Sequence, residues 1–264
     1  YCELGRTACL TAFRDRFVPR EKVLKEIELR RDEPFDYLTF AGSGEPTLSL
    51  DLGEVVARAK KIVDSPVAVI TNSTLLTSPA VRKEVAAADV VLPSLDAASQ
   101  EAFSAINRPA SGLLAEEMIQ GLKDFRREFS GQIWLEVMLV RGINDHEAEM
   151  IARAAQATEP DRIQLNTVVR APAEPVEPLS QEEMERMLEI FPGAELIPDW
   201  DWSVPIAIKE RMLKLLSEKE LTLQEIGLHL DLAGNDAIKY CKILEKDGSI
   251  SRNLYQGNLY FHAN

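Results

Sequence analysis

The segment Gly42-Ser43-Gly44-Glu45-Pro46 sets two glycines and a carboxylate directly behind an apolar run. Glycine lets a backbone turn sharply and approach a ligand closely. Free amides and the Glu45 carboxylate could hold a small zwitterion there, although glycine after an apolar run is as readily a plain turn. Other small or polar residues follow apolar runs in the same way: Thr71-Asn72, Ser94-Leu95-Asp96, Arg141-Gly142 and Asn166-Thr167. Asp96 also precedes Ala97-Ala98-Ser99-Gln100-Glu101 and would serve as a helix N-cap. Glu136 lies in the apolar run 134–138, where an inward carboxylate has a displaced pKa unless it is paired and an outward one is simply solvated. Gln164 and Asn166 alternate with Ile163 and Leu165, which makes one strand face polar. Arg6, Arg108, Arg141 and Arg170 are candidate anion contacts, each more readily a surface group.

The chain has three cysteines, Cys2, Cys9 and Cys241, and three cannot all pair. Free thiols and the lack of a secretory signal point to a reducing, cytoplasmic setting. Each cysteine is also readable as a small apolar residue, and Cys241 within a helical pattern most simply so. Histidines number three, so a histidine-based mechanism is poorly supplied. No Cys/His pair has zinc-finger spacing.

These residues need elements to position them, and the pattern supplies strands alternating with helices. Strands are predicted over 36–41, 67–71, 90–94, 133–140 and 162–168. Helices are predicted near 20–31, 51–63, 79–87, 113–128, 145–157 and 180–190, with Pro79 in a first turn and Ser180/Glu183 as a capping box. Such alternation implies βαβ units and a parallel sheet, either doubly wound or closed towards a barrel. Ligands then collect at the carboxyl ends of the strands, where the polar tips would share one rim. A sixth strand is expected before Tyr1. The stretch 171–178, with three prolines, excludes a helix or a central strand and reads as a stiff surface connection.

Of 264 residues, 45% are hydrophobic, enough for one large α/β core and a small second domain. Absence of an apolar run of about 18 residues gives no membrane span. The net charge of −13 argues against unspecific binding to a polyanion. From Pro205 onward, 8 basic face 8 acidic residues, while the preceding part has 22 against 35. Neither part carries a nucleic-acid footprint.

Taken jointly, several of these pieces resemble the radical S-adenosylmethionine (SAM) superfamily. Tyr1-Cys2, followed by Glu3-Leu4-Gly5-Arg6-Thr7, resembles the end of its C-x3-C-x-aromatic-C motif. The segment 41–47 resembles its glycine-glycine-glutamate motif, Thr71-Asn72 its next strand tip, and Pro93-Ser94-Leu95-Asp96 the one after. The similarity covers residues 1 to about 175 and leans towards Fe–S oxidoreductases related to the enzymes that make wyosine in tRNA. It implies a partial (βα)6 parallel barrel over 1–200, with the first strand and first two cluster cysteines expected before Tyr1. It also implies a [4Fe–4S] cluster, SAM as cofactor, and a reductant such as flavodoxin or ferredoxin. Three thiolates hold such a cluster and leave one iron open. On this resemblance Cys2 is a cluster ligand and, with Glu45, belongs to the catalytic centre. Gly42, Ser43, Gly44, Glu45, Thr71, Asn72, Ser94, Asp96, Glu136 and Asn166 become cofactor-binding candidates, with Gly44 and Glu45 on the methionine amino group and Ser94 and Asp96 on the ribose. The substrate stays open, with RNA, a peptide or a protein as candidates.

Residues 205–264 read as a winged helix-turn-helix domain: helices over 205–217, 222–230 with Thr222 as N-cap, and 234–247 ended by Gly248, then a hairpin around Gln256-Gly257. The third helix offers Lys239, Lys242 and Lys246 against Asp236, Glu245 and Asp247. That mixed face is not a phosphate stripe, so DNA binding is not expected. Two other readings remain: a ligand-sensing barrel with a winged-helix DNA-binding regulator domain, and a non-radical barrel enzyme using Glu45 and Asp96 as acid and base.

Overall fold

A computed structural model describes all residues except 3–6, 8, 43, 170–171, 198–203, 233–236, 238–239, 242, 246 and 256–257. The chain divides into two compact units, Tyr1–Ile197 and Pro198–Asn264. The first alternates strands and helices: α1 (Arg20–Leu29), β1 (Leu38–Phe40), α2 (Leu52–Ala59), β2 (Val67–Thr71), α3 (Pro79–Val85), β3 (Val90–Pro93), α4 (Gln100–Ile106), α5 (Ala115–Glu128), β4 (Gln132–Leu139), α6 (Ala148–Gln156), β5 (Arg162–Thr167), α7 (Gln181–Ile190) and β6 (Ala194–Leu196). All six strands are parallel and lie side by side in sequence order.

Alternation along each strand separates two faces. Ile133, Leu135, Val137 and Leu139 of β4 are buried against the helices, as are Val67 and Val69 of β2 and Ile163 and Leu165 of β5. Helices meet this face with apolar stripes at helical spacing; in α5 the stripe is Ala115, Met118, Leu122 and Phe125. Trp134, Glu136 and Met138 of β4 and Gln164 and Asn166 of β5 point the other way and are half-buried.

The sheet is curled. Tyr37, just before β1, and Trp134 of β4 bring their ring centres to 5.6 Å in an edge-to-face pair. Three strand spacings in a flat sheet amount to about 14 Å, too far for side chains standing perpendicular to it. The Arg162 guanidinium lies 4.6 Å over the same Trp134 ring. These three side chains floor the concave face at the amino ends of the strands. A partial barrel results, open at the carboxyl ends.

The expected strands and helices recur with ends shifted by a few residues. The described residues hold one strand more than the five predicted within the sequence, β6, after α7. Ala194-Glu195-Leu196 is a three-residue edge strand, too short to stand out as a periodic pattern. The helix that Asp96 would cap is α4, and it starts later than that cap requires. Its N-cap is Ser99, whose side chain accepts from the Ala102 amide. Asp96 is therefore not the cap, because the helix starts after Ser99. The helix expected from 145 opens as a 3₁₀ turn, Asp145–Glu147, before α6. The Ser180–Glu183 capping box forms in full.

The second unit holds α8 (Ile206–Glu218), α9 (Leu223–Leu230), further helical residues between 237 and 245, and the antiparallel hairpin β7 (Ile250–Tyr255) with β8 (Asn258–Ala263). Thr222 and Glu225 cap α9 reciprocally. Met212, Leu216, Ile226, Leu244, Ile250 and Phe261 form its own core. Buried Cys241 belongs to that core, and burial pushes its thiol up to about 12, as befits an inert packing residue. Asp236, Lys239, Lys242, Lys246, Gln256 and Gly257 lie outside the described residues.

Candidate active site at the carboxyl rim of the barrel

The loop after β1 carries Gly42, Gly44 and Glu45. Glu45 caps the 3₁₀ turn Pro46–Leu48: its Oε1 accepts from the Thr47 amide at 3.0 Å and the Thr47 hydroxyl at 2.6 Å. The Thr71 hydroxyl donates to the same oxygen at 2.6 Å, and the Asn72 amide to Oε2 at 2.7 Å. One carboxylate thus ties the β1 loop to the β2 tip. Oε1 is saturated, whereas Oε2 has one partner among the described residues and keeps acceptor capacity facing the rim. Glu45 is therefore a cap alongside that capacity. Ser43 lies outside the described residues.

From β2 the rim passes to β3. Ser73, buried and left-handed at φ 68°, donates its hydroxyl to the Ser94 carbonyl at 2.7 Å. Left-handed serine costs free energy and persists only where its surroundings over-determine it. The Ser94 amide donates to the Thr71 carbonyl at 2.9 Å, and the Leu95 amide to the Glu136 carbonyl at 2.9 Å.

Asp96 is 1% exposed and surrounded by donors. Its Oδ1 accepts from the Met138 amide at 3.0 Å, and its Oδ2 from Asn107 Nδ2 at 2.8 Å and the Tyr1 hydroxyl at 3.1 Å. Burial pushes its carboxyl up to about 6, against the pull of the Met138 and Asn107 hydrogen bonds. The same carboxylate raises the Tyr1 hydroxyl well above its ordinary value. Asn144, fully buried, donates to the carbonyls of Asp96 and Met138, each at 2.7 Å.

On the concave face, Asn166 Nδ2 donates to Glu136 Oε1 at 3.0 Å. Glu136 therefore points inward and is paired. Cys2 is exposed, and its carbonyl accepts from the Ala173 amide at 3.2 Å. Two candidate anion contacts are already engaged: Arg108 grips Glu174, and Arg141 grips Glu183. The first pair joins two loops and the second joins the loop after β4 to the first turn of α7, which accounts for charges that sequence alone left unassigned. Arg6 and Arg170 lie outside the described residues.

The structure thus brings Glu45, Thr71 and Asn72 into one cluster, joins it through Ser94 to Asp96 and Glu136, and adds Asn166. Sequence reading missed Tyr1 as an Asp96 partner, Asn107, Asn144 and Thr47. Only the Thr47 contact, two residues from Glu45, had a local signal. Among the described residues no group of three or more His, Cys, Asp or Glu could hold a metal ion. Cys2 is an exposed free thiol, the residue type that one ligand position of an iron–sulfur cluster requires. The surrounding hydroxyls, amides and carboxylates offer both donors and acceptors, as a zwitterion carrying a ribose requires.

A curled parallel sheet with a polar ring at its carboxyl ends defines the fold class: a partial parallel α/β barrel. Residues 1–155, more than half of the chain, match the radical SAM superfamily, and the chain belongs to it. The cofactors of that superfamily are a [4Fe–4S] cluster and SAM. The chain is 38% identical over 196 residues to a Brachyspira hyodysenteriae protein named GTPase Obg, covering 72% of this chain and 29% of that protein. It is 33% identical over 198 residues to a UPF0026 protein of Methanocaldococcus jannaschii, covering 72% and 61%. The chain thus spans less than two thirds of either relative. It contains no Gly-Lys pair and hence no G-x4-G-K phosphate loop, so the shared part is not a nucleotide-triphosphate site of that type. Among solved structures, a radical SAM methyltransferase from Sphaerobacter thermophilus matches with a TM-score of 0.50 at 20% identity, over 67% of this chain and 55% of that one. That likeness shows the fold.

Proposed function

We propose that the rim binds SAM beside a [4Fe–4S] cluster and that the enzyme cleaves it reductively to start radical chemistry on a substrate held over the concave face. The observation carrying this reading is the coincidence at one rim of an exposed Cys2, the Glu45–Thr71–Asn72 cluster and the Asp96 node, on a chain of the radical SAM superfamily. When bound, the pair supplies a one-electron reductive cleavage of a sulfonium carbon–sulfur bond.

In this reading the chain's own residues bind and orient. Cys2 supplies one thiolate. The loop at Gly42, Ser43 and Gly44 gives close backbone approach, and Glu45 receives the amino group through Oε2, the oxygen with spare capacity. Thr71 holds that carboxylate in place, and Asn72 and Ser94 reach the carboxylate and ribose of the ligand. Asp96 has both oxygens on protein donors, so it acts on the ribose side through the Tyr1 hydroxyl. Glu136 and Asn166 line the concave face. Tyr37, Trp134 and Arg162 close its floor and limit water from below. A reductant such as flavodoxin or ferredoxin supplies the electron. The second unit is read as a winged helix without a DNA-binding role.

Anaerobic reconstitution of the full-length protein tests the assignment of Cys2. Wild type should bind iron and sulfide and show the broad absorbance of an iron–sulfur cluster, and Cys2→Ala should lose it. Retention of an unchanged cluster by Cys2→Ala would remove Cys2 from the ligand set.

A further inference from the structure

Two adjacent residues after β3 touch both segments that fix Cys2. Asn107 Nδ2 donates to Asp96 Oδ2 at 2.8 Å, and that oxygen also accepts the Tyr1 hydroxyl at 3.1 Å. Asp96 is in turn pinned to β4 by the Met138 amide at 3.0 Å. Arg108 grips both Glu174 oxygens, at 2.8 and 2.6 Å. One residue earlier, the Ala173 amide donates to the Cys2 carbonyl at 3.2 Å. The residue before the thiol is therefore tied to the β3 tip, and the thiol's own carbonyl to the segment after β5.

Both adjacent residues carry a cost. Arg108 is left-handed at φ 47°, immediately before Pro109. Asn107 Oδ1 is buried without a hydrogen-bond partner among the described residues. Stability does not account for this arrangement. The Arg108 side chain is 50% exposed, and a solvated ion pair contributes little to folding. Strain and an orphaned amide oxygen side by side fit a turn kept for position. A backbone held at two points before metal arrives loses less freedom on ligation.

We propose that the Asn107-Arg108 turn is a positioning element for the Cys2 thiol, Asn107 acting through Asp96 and Tyr1, and Arg108 through Glu174 and Ala173. This rests on the reading that Cys2 is a cluster thiolate. Neither residue touches the cluster or SAM.

The test uses full-length protein reconstituted anaerobically, with Tyr1→Phe, which deletes one hydroxyl, and Arg108→Ala. Where Arg108→Ala fails to fold, Arg108→Lys keeps the charge and loses the two-point grip. Readouts are iron release to a chelator, the electron paramagnetic resonance spectrum of the reduced cluster without SAM, and amide exchange of residues 172–178 in the apo-protein. Each variant should release iron about tenfold faster, the loss expected for one hydrogen bond to a charged group. Each should also alter the spectrum while the apo-protein's thermal midpoint stays within about 6 °C of wild type. Exchange at 172–178 should accelerate in the Arg108 variant and not in Tyr1→Phe. Wild-type iron retention and spectrum in both variants would overturn the proposal alone. A wild-type protein that takes up no iron would overturn the cluster reading and, with it, this proposal.

Discussion

Replacing Asp96 by asparagine should flatten part of the protein's pH–stability profile, and burial fixes the direction. Burial raises the Asp96 carboxyl from 3.8 to about 6. Each pKa unit corresponds to about 1.4 kcal/mol, so the ionised form costs the folded state about 3 kcal/mol once the pH passes the folded value. Below the unfolded value the group is protonated in both states and has no effect. Between there and about 6 the folded state keeps a proton that the unfolded chain has released, so wild-type stability falls as pH rises. Above that window the loss is complete. Asp96→Asn carries no charge at any pH and avoids it. The new amide keeps its oxygen on the Met138 N–H, and Asn107 can turn over so that its unpartnered Oδ1 accepts from the new NH₂. Urea unfolding of the apo-protein across this range, at fixed ionic strength, gives the difference between variant and wild type. That difference should grow in the variant's favour by about 3 kcal/mol from acid to neutral pH. A flat difference, or one that grows in favour of wild type, would refute the reasoning that burial dominates at Asp96.

Three further outcomes follow from the geometry. Glu45→Gln leaves an NH₂ facing either the Asn72 amide or the Thr47 amide, and the loss of about 2 kcal/mol should lower the thermal midpoint of the first unit by about 4–8 °C; an unchanged midpoint would remove Glu45 as the tie between β1 and β2. Gly121→Ala in α5 gains helix propensity of about 1 kcal/mol, yet the added Cβ would sit 2.8 Å from the backbone of Leu76. Overpacking against rigid backbone wins, so urea unfolding should show a net loss of about 1–2 kcal/mol, and a gain would contradict that close approach. Thr222→Ala removes the side-chain half of the α9 capping box, the hydroxyl that accepts from the Glu225 amide, and should cost the second unit about 1 kcal/mol, read from its thermal unfolding.

The amino-acid pattern exposed the α/β alternation because β2, β4 and β5 are apolar enough to stand out between amphipathic helices. It did not expose β6, whose three edge residues are too few for a period, and it put the cap of α4 at Asp96 where the structure has Ser99. Curling of the sheet rests on Tyr37 meeting Trp134, a pairing of distant residues with no local trace. At the site, the tips of β1, β2 and β3 were legible as small polar residues behind apolar runs. Their bonding was less so. Glu45 capping Thr47 is local, whereas Asp96 draws its partners from Tyr1, Asn107 and Met138, up to 95 positions away. Arg108 and Arg141 looked like free cations because their acceptors, Glu174 and Glu183 in the first turn of α7, lie 66 and 42 positions away.

The most direct test of the central claim is product analysis of the reduced, reconstituted full-length enzyme incubated with SAM under anaerobic conditions. Formation of 5′-deoxyadenosine, dependent on reductant and abolished in Cys2→Ala, is the predicted result. A reduced, fully cluster-loaded enzyme that binds SAM and leaves it uncleaved would contradict the account.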